Sequence, residues 1–270
     1  LIDELTHLVL EEIVKSLDLI NATFGAQASI SINVAAKQAG NRDFMRSFTK
    51  ALAQTECPTR FIVEITEDAF VAKAHFQGEI LPMLREIGVG ISIDDFGIGY
   101  SSLLQMYRMP FSELKVDRSF VADVVKSSEA AAIVRAIVDL GHNLGLSVCA
   151  EGAEDRATAD FLLRCGCDVG QGYIYGRPMH PVQISERLAA ERQVPGSGRL
   201  HDVRAVVAQN ALAQHAAVAR IAQTGVTQVL RPHVAELAAE ATRVTLAQGG
   251  LQGVVRRVGV VACQVHTAVL

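Results

Sequence analysis

The chain has 270 residues, half of them apolar, and a formal net charge of -4. That length fits one large domain or two small ones, and the mild acidity argues against a general binder of DNA, RNA or anionic membrane, which is usually basic. No stretch approaches the roughly 18 uninterrupted apolar residues of a membrane helix, no signal peptide opens the sequence, and five cysteines are an odd number that makes no disulfide framework.

Cys165 and Cys167 form a C-x-C without a second pair or a histidine at ligand spacing, so they read as reduced, buried thiols and not a zinc site. These features predict a cytoplasmic setting, within a parent protein that could be membrane-tethered.

In chain order, Leu5, Val9, Ile13 and Leu17 recur every four residues and predict an amphipathic helix at the start. A chain that opens inside such a helix reads as a fragment. Ser29–Asn33 alternates apolar and polar residues and predicts a strand. Arg42–Gln54 predicts a helix, and the β-branched run Phe61–Thr66 a second strand. A helical stretch to Ile87 closes at Gly88, and Val89–Asp94 is the third strand. Ser101–Met109 is short and helical before Pro110, and Leu114–Asp117 is the fourth strand. Glu129–Leu144 predicts a helix with Ile133, Ile137, Leu140 and Leu144 on one face. Leu146–Ala150 follows as a strand, then a helix to Cys165, then Asp168–Tyr173 as the sixth strand.

Three times a helix ends at a glycine (Gly88, Gly145, Gly166) and a buried strand follows. Glycine supplies the left-handed conformation that turns a helix back toward a sheet. Alternation of this kind implies βαβ units and a parallel sheet. An open doubly wound sheet stays possible, but the polar residues favour a barrel. They fall at the carboxyl ends of several strands at once, where barrels place their chemistry.

Beyond about Val194 the character changes: residues 195–270 contain no Lys, Phe, Tyr or Trp. Pro195 to Gly198 read as a linker, and Asp202–Ala222 and Val234–Ala247 are weakly amphipathic. Two readings stay open, an accessory helical tail or a translated, unselected frame. The division expected is therefore 1–194 as the barrel domain and 195–270 as linker and tail, helical or disordered.

The strand ends carry Asn33, then Glu64, then Asp94 and Asp95, then Lys115 with Asp117 after it, then Glu151 with Glu154 beyond, then Gln171. Neighbouring strands would bring them to one mouth. Carboxylate and amide oxygens suit hard divalent cations, and adjacent aspartates suit a pair of ions that activate a water for phosphoryl transfer. A lysine there can orient that water or take its proton. Alone, each residue has an ordinary reading: Asn33 as a turn, Asp94-Asp95 as a solvated turn or cap, Lys115 as an ion-pair partner. Six consecutive strand ends are harder to explain that way. The glycines of Gly97-Ile98-Gly99, just past the aspartates, predict a loop over the site.

These segments resemble a known family. EITE (Glu64–Glu67), IDDFGIGYSSL (Ile93–Leu103), LKVDRSFV (Leu114–Val121), AEGAE (Ala150–Glu154) and QGYIYGRPM (Gln171–Met179) look like EAL domains, bacterial phosphodiesterases that linearise cyclic di-GMP to pGpG. The resemblance runs from Leu1 to about Leu188. It implies a modified (β/α)8 TIM-like barrel, two Mg²⁺ or Mn²⁺ ions and a homodimer. It also implies roles. Asn33, Glu64 and Asp94 would bind metal, and Asp95 and Glu151 the second ion. Lys115 would position or deprotonate the water, with Gln171 supporting it. Glu67 and Glu154 would hold the loop of Gly97, Ile98, Gly99, Tyr100 and Ser101, with Asp117 beside them.

The sequence departs from the family in places. No Glu-Ala-Leu motif is present, Ile98 stands where threonine is usual, Ala35 replaces a serine and Ala153 a valine. The expectation is therefore a barrel incomplete at its amino terminus, weak or inactive as a phosphodiesterase. The alternative is a degenerate module that binds cyclic di-GMP or a protein partner without turnover.

Overall fold

The computed structural model describes residues 2–67, 75–97, 109–177 and 183–187. Among the described residues six strands form one sheet: β1 (Ile30–Asn33), β2 (Phe61–Thr66), β3 (Gly90–Phe96), β4 (Glu113–Val116), β5 (Ser147–Ala150) and β6 (Val169–Gly170). The spatial order is β1-β2-β3-β4-β5-β6 and every neighbouring pair is parallel. A doubly wound sheet reverses its order at a switch point. This sheet never reverses, so the architecture is the barrel type, with β1 and β6 as outer strands among the described residues.

The helices among the described residues include α1 (Ile2–Phe24), α2 (Ala36–Ala39), α3 (Arg42–Ala53), α4 (Leu81–Glu86), α5 (Arg118–Val121), α6 (Ser128–Asn143) and α7 (Arg156–Cys165). A π-helical turn, Phe76–Ile80, leads into α4. Local chemistry sets their starts. Asn41, Ser127 and Asp155 each accept a backbone N–H of the first turn of α3, α6 and α7, at 3.2, 3.1 and 2.8 Å. Their ends follow the glycine pattern: Gly88, Gly145 and Gly166 all have φ between +74° and +84°. The short helices α2 and α5 carry no sequence periodicity and were not foreseen.

Two helix faces differ from the sequence pattern. On α1 the buried apolar stripe is Leu10, Ile13, Leu17 and Ile20, while Leu5 and Val9 are half-buried. A strict spacing of four drifts off a 3.6-residue turn, so the stripe alternates steps of three and four. On α6 the buried face is Val134, Ile137, Val138 and Gly141, and Ile133 is exposed. The cause is Gly141. A Cβ there would stand 2.4 Å from Val148 Cγ2, so the bare glycine lets α6 settle directly on β5.

Between helices and sheet lies one apolar core built around Ile13, Ile30, Phe48, Phe61, Ile65 and Val148, all closed to solvent. Each such side chain stabilises the fold by roughly 1.5–3 kcal/mol relative to exposure.

Five strands depart from their expected bounds, β1 and β5 only by starting one residue later. β3 continues two residues past Asp94, β4 begins at Glu113, and β6 is only two residues long. β6 stops because the chain turns onto the β5 end: Ala153 N–H donates to Gln171 O at 2.9 Å and Ile174 N–H to Ala153 O at 3.1 Å. Gly172 lies so close beneath Ala153 that a Cβ would fall 2.1 Å from its carbonyl oxygen. Ser101–Met109, apart from Met109 itself, and residues 195–270 lie outside the described residues.

Candidate metal centre

Lys115 is the middle of the site. It points from β4 into the polar side of the sheet and is fully buried. Its Nζ meets Glu64 Oε2 at 2.9 Å, Asp94 Oδ1 at 2.8 Å and Glu151 Oε1 at 2.5 Å. Those carboxylates come from β2, from β3 and from the residue after β5. Period-two alternation explains the convergence: along each strand every second side chain faces the helices, and the ones between face inward. Burial works against the ammonium, but the charges of Glu64, Asp94 and Glu151 outweigh it and hold the Lys115 pKa well above its ordinary value. Burial pushes Glu151 up to about 7 against the pull of Lys115, with Asp94 and Glu64 adding to the rise.

Asp95 completes the cluster. Asp94, Asp95 and Glu151 each offer a carboxylate oxygen, and these lie within 4.8 Å of one another. The β3–β4 register shifts between Ile93 and Phe96, and Asp95 has φ +56°, the one positive value outside glycine among the described residues. This bulge takes two consecutive aspartates out of strict alternation, so that both can serve one mouth. Burial, and then the charges of Asp94 and Asp117, raise the Asp95 carboxyl above its usual range.

The remaining predicted residues fall as follows. Asn33 ends β1, half-buried, opposite Glu64 in the ladder. Gln171 follows β6, is buried, and donates its N–H to Ala150 O at 2.8 Å. Glu67 is buried and its Oε2 accepts the Gly97 N–H at 3.4 Å. Asp117 caps α5, accepting from Ser119 N at 2.8 Å. Glu154 is exposed, outside the buried cluster. Ile98, Gly99, Tyr100 and Ser101 lie outside the described residues. Cys167 is buried and Cys165 half-buried, both as free thiols.

Sequence reasoning missed a lower tier. Ser92, Glu113 and Cys149 are buried, each two residues before Asp94, Lys115 and Glu151. The period-two signal that found the upper tier could have found this one, had β4 been started at Glu113.

The donor set fits a divalent cation. Glu64, Asp94, Asp95 and Glu151 face a single ammonium, so the mouth is strongly acidic, and its oxygens are the hard donors that Mg²⁺ and Mn²⁺ prefer.

Fold and mouth together define a parallel α/β barrel-type domain with a carboxylate-rich candidate cation site. Residues 1–178 match the EAL domain family, and the chain belongs to that family. It is 41% identical over 190 residues to the bifunctional diguanylate cyclase/cyclic di-GMP phosphodiesterase MucR of Pseudomonas aeruginosa. That match covers 70% of this chain and 28% of MucR, so the chain spans little more than a quarter of that curated relative. Among solved structures, the MucR phosphodiesterase in complex with c-di-GMP aligns with TM-score 0.59 and 41% identity, over 67% of this chain and 71% of that one. A manganese/cyclic di-GMP complex of Klebsiella pneumoniae BlrP1 aligns with TM-score 0.54 and 27% identity, over 64% of this chain and 44% of that one. No described helix is long and apolar enough to cross a membrane.

Proposed function

We propose that the domain is a metal-dependent phosphodiesterase that opens cyclic di-GMP to linear pGpG in bacterial second-messenger signalling. The observation that carries this reading is the Lys115 cluster, one buried ammonium against carboxylates from three strands with Asp95 beside them. Likeness to MucR and BlrP1, whose structures hold the cyclic dinucleotide, supports the choice of substrate.

Asn33, Glu64, Asp94, Asp95 and Glu151 would hold two ions, Mg²⁺ or Mn²⁺. Such ions supply an activated water and Lewis-acid stabilisation of the phosphoryl oxygens. Lys115, kept protonated, donates to Glu64, Asp94 and Glu151 and so fixes the three carboxylates relative to one another. Its role would be to position the nucleophilic water or to take its proton. Gln171 orients the water or the substrate from the end of β6. Glu67, which accepts the Gly97 N–H, would with Glu154 hold the segment carrying Ile98, Gly99, Tyr100 and Ser101, with Asp117 beside them. Water adds across one P–O3′ bond of the ring, leaving a 5′-phosphate and a free 3′-hydroxyl. The reading includes a homodimer working in the cytoplasm.

The test incubates the purified protein that carries this domain with cyclic di-GMP and Mg²⁺ or Mn²⁺, and separates the nucleotides by chromatography. Metal-dependent appearance of pGpG is the expected result. Tight nucleotide binding with no product under either metal would overturn hydrolysis and leave a binding module. Light scattering on the same sample reads the dimer.

A further inference from the structure

Side chains bridge β3 to β4 and to the residue before it at three levels. At the upper level Lys115 Nζ meets Asp94 Oδ1 at 2.8 Å. Two residues earlier on each strand, Ser92 Oγ donates to Glu113 Oε1 at 2.8 Å, with Ser92 sealed from solvent and Glu113 only 6% exposed. Ser92 and Glu113 are direct partners in the ladder, and the register shifts just beyond them, after Ile93. From there Asp94 and Asp95 leave regular pairing with β4, though Asp94 stays paired with Thr66 of β2, and Asp95 has a left-handed backbone. Ser112 clips the same two strands one step lower, its Oγ accepting Ile91 N–H at 2.9 Å.

Two physical points make this lower rung informative. A carboxylate buried beneath a cluster that is already acidic is costly, and an apolar side chain would fill the same floor at less cost. A bulge also loosens the backbone ladder where it occurs. On the β4 side the main-chain ladder pairs Ile93 with Leu114 and Phe96 with Val116, and leaves Asp94 and Asp95 between them without a partner.

We propose that Ser92 and Glu113 are positioning residues: their hydrogen bond is a strut that pins β3 to β4 immediately below the bulge and so sets where Asp94 and Asp95 stand in the cation-binding mouth. The inference rests on reading that mouth as a metal-dependent site. Neither residue touches substrate, and both act through the two aspartates.

The test uses three variants of the protein that carries the domain. Ser92→Ala and Glu113→Ala are each expected to weaken Mn²⁺ binding, read by calorimetry, by about tenfold, and to lower kcat by a similar factor with KM for cyclic di-GMP nearly unchanged. Glu113→Gln keeps an oxygen for the Ser92 hydroxyl and is expected to hold close to wild-type Mn²⁺ affinity and kcat. The double variant Ser92→Ala/Glu113→Ala is expected to be no weaker than the worse single one, because both remove the Ser92–Glu113 bond. Melting curves show which variants fold; should Glu113→Ala not fold, Ser92→Ala and Glu113→Gln carry the comparison. Folded alanine variants that bind Mn²⁺ as the wild type does would overturn the strut, and so would Glu113→Gln as weak as Ser92→Ala. Wild-type protein that binds Mn²⁺ but yields no pGpG would defeat the hydrolysis reading alone, leaving the strut to be judged by Mn²⁺ affinity. Wild-type protein that binds no Mn²⁺ would defeat both.

Discussion

The two faces of this one sheet obey opposite rules. Toward the helices stand Ile30, Ile32, Val63, Ile65, Ile91, Ile93, Leu114, Val116 and Val148, all buried and all apolar. On the other face the same strands bury Glu64, Ser92, Asp94, Glu113, Lys115 and Cys149. The helix face is stabilised by area removed from water, which is non-directional and tolerant of volume-conserving exchange. The inner face gains nothing from burial as such. Glu64, Asp94 and Lys115 depend on one another and Ser92 on Glu113, and removing one partner strands the rest. The difference teaches where function lies: strands that could have been apolar on both sides keep charge on one.

Substitutions of graded severity should break this contrast or sharpen it. The largest effect is expected from Lys115→Met, which leaves Glu64, Asp94 and Glu151 buried without their shared cation. Turnover should fall by about a thousandfold or more, and metal-free stability by roughly 3–5 kcal/mol in denaturant unfolding. A variant with near-native stability would mean that the inner face tolerates loss as the outer one does.

Next is a pH effect on the metal-free protein. Glu151 ordinarily titrates at 4.5 and is pushed up to about 7 in the fold. Below 4.5 the carboxyl is protonated in both folded and unfolded chains, so it costs nothing. Between the two values only the unfolded chain ionises freely, and above 7 the full penalty applies, at most about 3 kcal/mol. This group therefore removes stability as pH rises from 4.5 to 7. Glu151→Gln in chelator-treated protein should gain stability relative to wild type across that window. A difference that stays flat with pH would contradict the assignment.

Gly172→Ala is expected to cost about 2 kcal/mol and to lower turnover, because its methyl group would overlap the Ala153 backbone that ties β6 to β5. The melting midpoint and the rate would both be read. The smallest effects belong to the outer face and its helices. Ile30→Val and Ser127→Ala should each cost about 1 kcal/mol, the first by a lost methylene in the core and the second by a lost cap on α6. Neither should alter kcat or KM.

Most of the sheet was legible in the sequence because two local signals agree there: β-branched runs mark the strands, and glycines mark the helix ends before them. β2 was placed to the residue, and Gly88, Gly145 and Gly166 adopt the positive φ their positions required. The site was legible in part, because strand-end polar residues announce themselves one strand at a time. What stayed hidden depends on neighbours far along the chain. Gly141 rotates α6 because Val148 lies beneath it, and no periodicity within α6 reports that contact. Asp94 and Asp95 share the mouth only because of a bulge set by pairing with β4. The expected strand begins at Leu114, one residue after Glu113, so the bond of Glu113 to Ser92 across the strand pair had no place to appear.

Metal binding and turnover measured side by side on wild type and Asp94→Asn test the central claim most directly. The account predicts that wild-type protein binds Mn²⁺ and converts cyclic di-GMP to pGpG, and that Asp94→Asn, with the same shape but no charge beside Lys115, loses both together. Asp94→Asn that binds Mn²⁺ and turns over at the wild-type rate would contradict it.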